Sequence, residues 1–183
     1  MGSMELSTSV VSEGTPSKTL YVLHGIFGSG RNWSSVIRQL VRKKTDWQAV
    51  LVDLRQHGNS QGFPAPHTIE AAANDLETLD ASRQPPDAIL GHSFGGKVAL
   101  MYAKQHGAEN LKQVWVIDST PEARAPDGSA WQMLGLIRTV PREFKSRDEL
   151  VSLLTRFGIA TPTAQWMATN LELRDGAYCW RFD

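Results

Sequence analysis

A single cysteine, Cys179, stands among 183 residues. That excludes an internal disulfide framework and a cysteine-based zinc site. No thiolate-stabilising motif surrounds it, so a buried, inert thiol is expected. No apolar run approaches the ~18 residues that a membrane-spanning helix needs. An excess of one charge is missing too. Lys plus Arg and Asp plus Glu both number 19, so nothing suggests a nucleic acid or an anionic membrane surface as partner. Internal repeats, low-complexity tracts and metal-ligand spacings are also lacking, and no cofactor or metal is expected. Residues 1–18 contain no arginine and no apolar signal core. They read either as an artificial Met1-Gly2-Ser3 extension ahead of Met4 or as a short first strand.

What is present has the composition of an ordinary soluble globular protein, 41% hydrophobic and 21% charged, long enough for one domain with a real core. Leu6 to Val11 reads as an outer strand, with Glu13-Gly14-Thr15-Pro16 as the turn after it. Thr19-Leu20-Tyr21-Val22-Leu23 and Trp47-Gln48-Ala49-Val50-Leu51-Val52 are short apolar runs, as strands covered on both faces should be. Asp87-Ala88-Ile89-Leu90 and Gln113-Val114-Trp115-Val116-Ile117 are two more. Between them lie helical patterns. Trp33, Val36, Ile37, Leu40 and Val41 recur at helical spacing, and Arg42-Lys43-Lys44 complements that helix's C-terminal dipole. Ile69, Ala72, Ala73, Leu76 and Leu79 define a second helix with Thr68 as N-cap, broken by Pro85-Pro86. A third runs from Phe94 to His106 and ends at Gly107. Strands alternating with helices predict a mostly parallel sheet with helices on both faces. After Ser119 the rhythm changes, and three helices are expected at about 130–139, 147–157 and 162–173, with no strand. The expected organisation is a core over residues 1–124 and a helical cap over 125–183, lying where open α/β sheets bind ligands.

The stretch that carries chemistry is Gly91-His92-Ser93-Phe94-Gly95, between an apolar strand and a helix. Gly-x-Ser-x-Gly in that setting is the sequence form of a nucleophile elbow, a sharp turn that exposes Ser93 Oγ above the sheet and aims a helix N-terminus at the same spot. Alone, the pattern also fits a glycine-rich loop that merely turns the chain. Ester hydrolysis by such a serine needs a base, an acid to orient it and donors for the oxyanion. The backbone N–H of Phe94 is one candidate donor. The other belongs to the loop His24-Gly25-Ile26-Phe27, with Ile26 nominated and Phe27 as the fallback. His24 is expected to pin that loop, and Asp53 to brace its own loop with Arg55.

His24-Gly25-Ile26-Phe27-Gly28-Ser29, Asp53-Leu54-Arg55-Gln56-His57-Gly58-Asn59-Ser60, the elbow and Ile117-Asp118 occur in the order found in the α/β-hydrolase superfamily. From residue 19 onward the chain resembles its small abhydrolase-domain esterases. The resemblance implies the α/β-hydrolase fold, a small-molecule acyl ester or thioester as substrate, and Ser93 as nucleophile. It also implies a triad in the order Ser, acid, His. Asp118 is one candidate acid; otherwise it caps the turn into Ser119-Thr120-Pro121. The histidine is the difficulty. Of the five present, only His106 follows Ser93, roughly 18 Å further along at helical rise. His92 is adjacent to Ser93 and should point away from its Oγ, and His57 is implied to be structural. A histidine beyond residue 183, after two further strands, is therefore expected, with this chain a truncated form.

Three readings remain open at this level: a serine hydrolase, an acyltransferase using the same nucleophile, or a non-catalytic binding fragment. Phe27, His92, Trp131 and Trp166 are candidate pocket residues, the tryptophans belonging to an apolar stripe that serves equally well as cap packing. A sheet without its last strands predicts self-association through the exposed edge. A soluble intracellular location, cytoplasmic or organellar, is expected.

Overall fold

Successive residues of a strand face opposite sides of a sheet, and here both sides are apolar. In the computed structural model, Tyr21, Leu23, Val50, Val52 and Ile89 bury against one helical layer, while Leu20, Val22, Ala49, Leu51 and Ala88 bury against another. The structure describes residues 4–82, 85–106, 111–122 and 128–183. Met1-Gly2-Ser3, the expected helix stop at Gly107 and the expected boundary at 124/125 lie outside them.

The chain forms two compact units, Met1–Pro121 and Glu122–Asp183. In the first, the strands are β1 (Thr8–Ser12), β2 (Lys18–Leu23), β3 (Trp47–Val52), β4 (Ala88–His92) and β5 (Gln113–Ile117). They form one sheet in the order β1-β3-β2-β4-β5. Only β1 runs antiparallel to its neighbour. Helix α1 (Ser34–Lys43), after a short 3₁₀ turn, covers one face through Ile37 and Val41. Helices α2 (Ile69–Ser82) and α3 (Phe94–His106) cover the other through Ala72, Leu76, Leu79, Val98 and Tyr102. The expected N-cap of α2 is observed, Thr68 Oγ1 accepting from the Ala71 N–H at 3.1 Å. Because β3 lies on one side of β2 and β4 on the other, the chain reverses its winding between β2 and β4. The crevice at the carboxyl ends of such a pair is where open α/β sheets take ligands.

The second unit corrects the expectation of an all-helical cap. Helices α4 (Gly128–Ile137), α5 (Arg147–Arg156) and α6 (Thr161–Ala168) are present. So is a three-stranded antiparallel sheet of β6 (Glu143–Phe144), β7 (Leu171–Arg174) and β8 (Ala177–Trp180). The helix expected to reach Leu173 stops at Ala168, and the Asn170 N–H closes its end on the Met167 carbonyl at 2.9 Å. Asp175 and Gly176, with φ of 48° and 89°, then make the two-residue turn that matches strand twist in a hairpin. Arg147 holds this hairpin to the start of α5, donating to the Leu171 carbonyl at 2.9 Å and lying over the Tyr178 ring. Among the described residues no helix is long and apolar enough to cross a membrane.

Candidate active site

Ser93 sits one residue beyond the carboxyl end of β4, with φ of +51°. A non-glycine residue in that region is strained by roughly 1–2 kcal/mol, and the strain is what a strand-to-helix elbow demands. Two glycines make room for the turn. A methyl group on Gly91 would overlap the Gly95 carbonyl oxygen, and one on Gly95 would lie 2.5 Å from the His24 carbonyl oxygen. The Ser93 carbonyl caps the first turn of α3 by accepting from Gly96 at 2.9 Å, while its N–H donates to the Ile117 carbonyl at 2.9 Å.

The loop after β2 lies directly against this elbow. A methyl group on Gly25 would come within 3.3 Å of Ser93 Cβ and 2.8 Å of His92 Nδ1. Neither the Ile26 N–H nor the Phe94 N–H donates to any acceptor among the described residues. The Phe27 N–H, the fallback donor, is already committed to Nε2 of His57 at 3.3 Å. His57 is held in turn by Nδ1–H donation to the Arg55 carbonyl at 2.9 Å, and its ring stacks on that of Phe94 at 6.2 Å. His24 pins the loop as expected. It donates through Nδ1 to the Gly25 carbonyl at 2.8 Å and accepts the Leu54 N–H at Nε2, 3.0 Å away. Burial, reinforced by the neighbouring His57, pushes its pKa down to about 3. Burial lowers that of His57 as well. Both rings are therefore neutral hydrogen-bond bridges at neutral pH.

Asp118 occupies the position next to Ser93 on the adjacent strand. His92 and Ile117 are register partners, and Asp118 follows Ile117. Its φ is +48°, and its exposed carboxylate makes no hydrogen bond among the described residues, so it does not cap the turn as the alternative reading had it. Asp53 does brace loops, but not with Arg55. Its carboxylate accepts from the Gly30 and Asn59 N–H groups at 2.8 and 2.9 Å. Arg55 instead forms a two-pronged pair with Asp75 at 2.6 and 2.8 Å. His92 is half-buried, with its ring edge-on to Trp33 at 6.0 Å. His67 meets the Gln56 amide, and His106 lies 3.9 Å from Glu77 near the far end of α3. Among the described residues, none of the five histidines hydrogen-bonds Ser93.

Trp131 and Trp166 belong to the second unit, on α4 and α6, and both are exposed. Cys179 is half-buried on β8 rather than fully buried. Among the described residues, no cluster of three His, Cys, Asp or Glu gathers to hold a metal ion. The link that residue patterns did not reveal is His57 to Phe27, made by side chains from loops far apart in sequence.

Comparison with known proteins adds a family to this geometry. Residues 18–153 match a family model described as the alpha/beta hydrolase fold. The chain is 30% identical to the sn-1-specific diacylglycerol lipase ABHD11 of Xenopus tropicalis, over 97% of this chain and 57% of that protein. With the Mus musculus protein of the same description it shares 27% identity, over 98% of this chain and 60% of the relative. It thus spans less than two thirds of the length of either. Among solved structures, a marine microorganism esterase superposes with a TM-score of 0.85 at 27% identity, covering 99% of this chain and 69% of that one.

Proposed function

The chain belongs to the α/β-hydrolase fold family, and from that premise we propose that it is a serine hydrolase of small-molecule carboxylic esters or thioesters. Ser93 is the nucleophile, and the N–H groups of Ile26 and Phe94 form the oxyanion hole. The observation that carries the reading is the backbone of Ser93, held at φ +51° at the point where the sheet reverses its winding. Strain of this kind persists only where surrounding contacts enforce it, and Gly91, Gly95 and the Ser93–Ile117 bond do so here.

In the proposed reaction, Ser93 Oγ attacks the acyl carbon as its proton passes to a general base. The carbonyl oxygen becomes an oxyanion facing two N–H donors that have no other acceptor among the described residues. Removing one such donor costs roughly 10²–10³ in rate in serine hydrolases. Collapse expels the alcohol or thiol with the proton returned by the base, leaving acyl-Ser93. Water, deprotonated by the same base, then releases the acid. Asp118 is the proposed acid that orients the base.

The base itself is proposed to be a histidine outside these residues. His24 and His57 have both ring nitrogens engaged in holding loops, and His67, His92 and His106 make other contacts. The same observation favours a second reading, a binding protein that keeps the fold without turnover.

p-Nitrophenyl acetate with added imidazole tests both. The chain alone should hydrolyse this ester within about tenfold of background. Imidazole should raise the part of the rate that Ser93→Ala abolishes. Equal rates for both proteins at every imidazole concentration would remove Ser93 as nucleophile and leave the binding reading. Rapid Ser93-dependent turnover without imidazole would overturn the assignment of the base.

A further inference from the structure

We propose that His57 is a positioning residue for the oxyanion hole, holding the N–H donors of Ile26 and Phe94 at the separation that a single oxygen requires. The proposal rests on the reading of Ser93 as nucleophile, and adds to it a side chain that touches no reacting atom. Two N–H groups stabilise an oxyanion only when both stand about 2.7–3.1 Å from the position it will occupy. Here they come from different parts of the chain. Ile26 lies in the loop after β2, and Phe94 opens α3.

One ring reaches both sides of the hole. Nε2 of His57 accepts the Phe27 N–H at 3.3 Å, and the same ring stacks on that of Phe94 at 6.2 Å. Because Nε2 accepts, the ring proton sits on Nδ1, which donates to the Arg55 carbonyl at 2.9 Å. The ring is thus anchored to the loop after β3, which supplies neither donor. Its neutral form is essential to the arrangement. An imidazolium carries a hydrogen on both nitrogens and could not accept from Phe27.

The bond to Phe27 acts on the Ile26 N–H through the backbone. The Ile26 carbonyl and the Phe27 N–H share one planar peptide, so His57 sets the plane that follows Ile26. The plane before it holds the Gly25 carbonyl and the Ile26 N–H, which point in opposite directions in a trans peptide. That carbonyl accepts from His24 Nδ1 at 2.8 Å and from the Gly28 N–H at 3.0 Å, which fixes the direction of the Ile26 N–H. The weak point is the second plane. Phe27 has φ of +64°, a conformation that an L residue keeps only where its surroundings enforce it. Without an acceptor for its N–H, Phe27 can relax out of that region, and the Ile26–Phe27 peptide swings with it. The Ile26 donor then loses its alignment with Phe94 although the loop remains folded.

Imidazole-dependent hydrolysis of p-nitrophenyl acetate by the 183-residue chain tests this, taken as the part of the rate that Ser93→Ala abolishes. Circular dichroism and urea denaturation verify that each variant is folded. His57→Phe keeps a ring against Phe94 but has no acceptor. His57→Asn carries an amide nitrogen on Cγ, as histidine carries Nδ1, so it can serve the Arg55 carbonyl without reaching Phe27. It carries the comparison if phenylalanine does not fit. His57→Gln places an oxygen on Cδ, close to where Nε2 stands, and can accept the Phe27 N–H. The first two variants should lower kcat by about tenfold or more with KM unchanged, because the donors act on the transition state. His57→Gln should restore most of the rate. A merely structural loss would follow the urea midpoint rather than the presence of the acceptor. An unchanged kcat in the Phe and Asn variants, a loss confined to KM, or a Gln variant as slow as Asn would each overturn the proposal while leaving Ser93 as nucleophile. A natural chain no faster than Ser93→Ala would overturn both, so the two failures are told apart.

Discussion

The backbone N–H of Phe27 donates to Nε2 of His57 at 3.3 Å, across a separation of 30 residues. Phe27 has φ of +64°, so its peptide is turned in a way that an L residue does not adopt without support. The same imidazole holds the Arg55 carbonyl and stacks on Phe94. One neutral ring thereby ties the loop after β2 to the loop after β3 and to the residue that follows Ser93.

Replacing that ring while keeping its shape isolates the hydrogen bond. His57→Phe retains an aromatic surface against Phe94 but leaves the Phe27 N–H without its acceptor. A buried donor stripped of its partner costs about 1–3 kcal/mol, so the urea midpoint should fall correspondingly. An unchanged midpoint would mean that the bond does not hold the loop.

Acid should loosen the same region. His24 and His57 both bind protons less readily folded than unfolded, with His24 pushed down to about 3. Between that value and the unfolded value of about 6.5, the unfolded state therefore binds more protons, and stability rises with pH. It should be fully present above about pH 6.5 and fall as the solution is acidified towards pH 3, by about 1.4 kcal/mol per pH unit for His24, with His57 adding a loss in the same direction. Urea melts at a series of pH values measure the slope. His24→Asn should flatten it by about one proton, and an unaltered slope in that variant would assign the effect elsewhere.

Glycine substitutions at two positions should move stability in opposite directions. A methyl group on Gly95 meets the His24 carbonyl oxygen at 2.5 Å, and the backbone there has no room to yield. Gly135, inside α4, has nothing within 4 Å. Gly95→Ala should leave the chain unfolded or more than about 3 kcal/mol less stable. Gly135→Ala should add about 0.5–1 kcal/mol through helix propensity. Thermal melts of the two variants side by side provide the comparison.

The Arg55–Asp75 pair, with side chains 10% and 13% exposed, is largely out of water. Breaking such a pair leaves an uncompensated charge, which costs about 3 kcal/mol or more. Asp75→Asn should therefore destabilise far more than Asp46→Asn, whose Lys18 partner lies at the surface with side chains 44% and 49% exposed. Equal losses would show that burial does not govern the pair.

These contacts mark where residue patterns carry structure and where they do not. The elbow was legible because its determinants are local: Gly91, Ser93 and Gly95 lie within one turn, and the flanking apolar runs name their elements. The β7–β8 hairpin was equally local. Asp175-Gly176 between Leu171–Arg174 and Ala177–Trp180 is a two-residue turn signal, obscured by reading Leu171 and Leu173 as the end of a helix. The partners of Asp53, Arg55 and His57 were not legible. Asp53 and Arg55 stand in one short loop and could have paired, yet the fold sends Asp53 to Gly30 and Asn59 and Arg55 to Asp75. Only the packing of β3 against its neighbours decides which donor reaches which acceptor.

Ser93 offers the sharpest opposition between stability and chemistry. Its φ of +51° costs an L residue roughly 1–2 kcal/mol, and a glycine would adopt it freely. Ser93→Gly loses about 0.5–1 kcal/mol of that gain to the greater freedom of an unfolded glycine. The variant should nevertheless be more stable than the natural chain by about 0.5–1 kcal/mol. Ser93→Ala keeps the strain and should remain within about 0.5 kcal/mol of it. Urea denaturation distinguishes the three proteins, and the imidazole-dependent hydrolysis of p-nitrophenyl acetate should vanish in both variants. A Ser93→Gly chain no more stable than Ser93→Ala would mean that the elbow stores no strain. The positive φ would then be an ordinary feature of the turn rather than a conformation enforced to present a nucleophile.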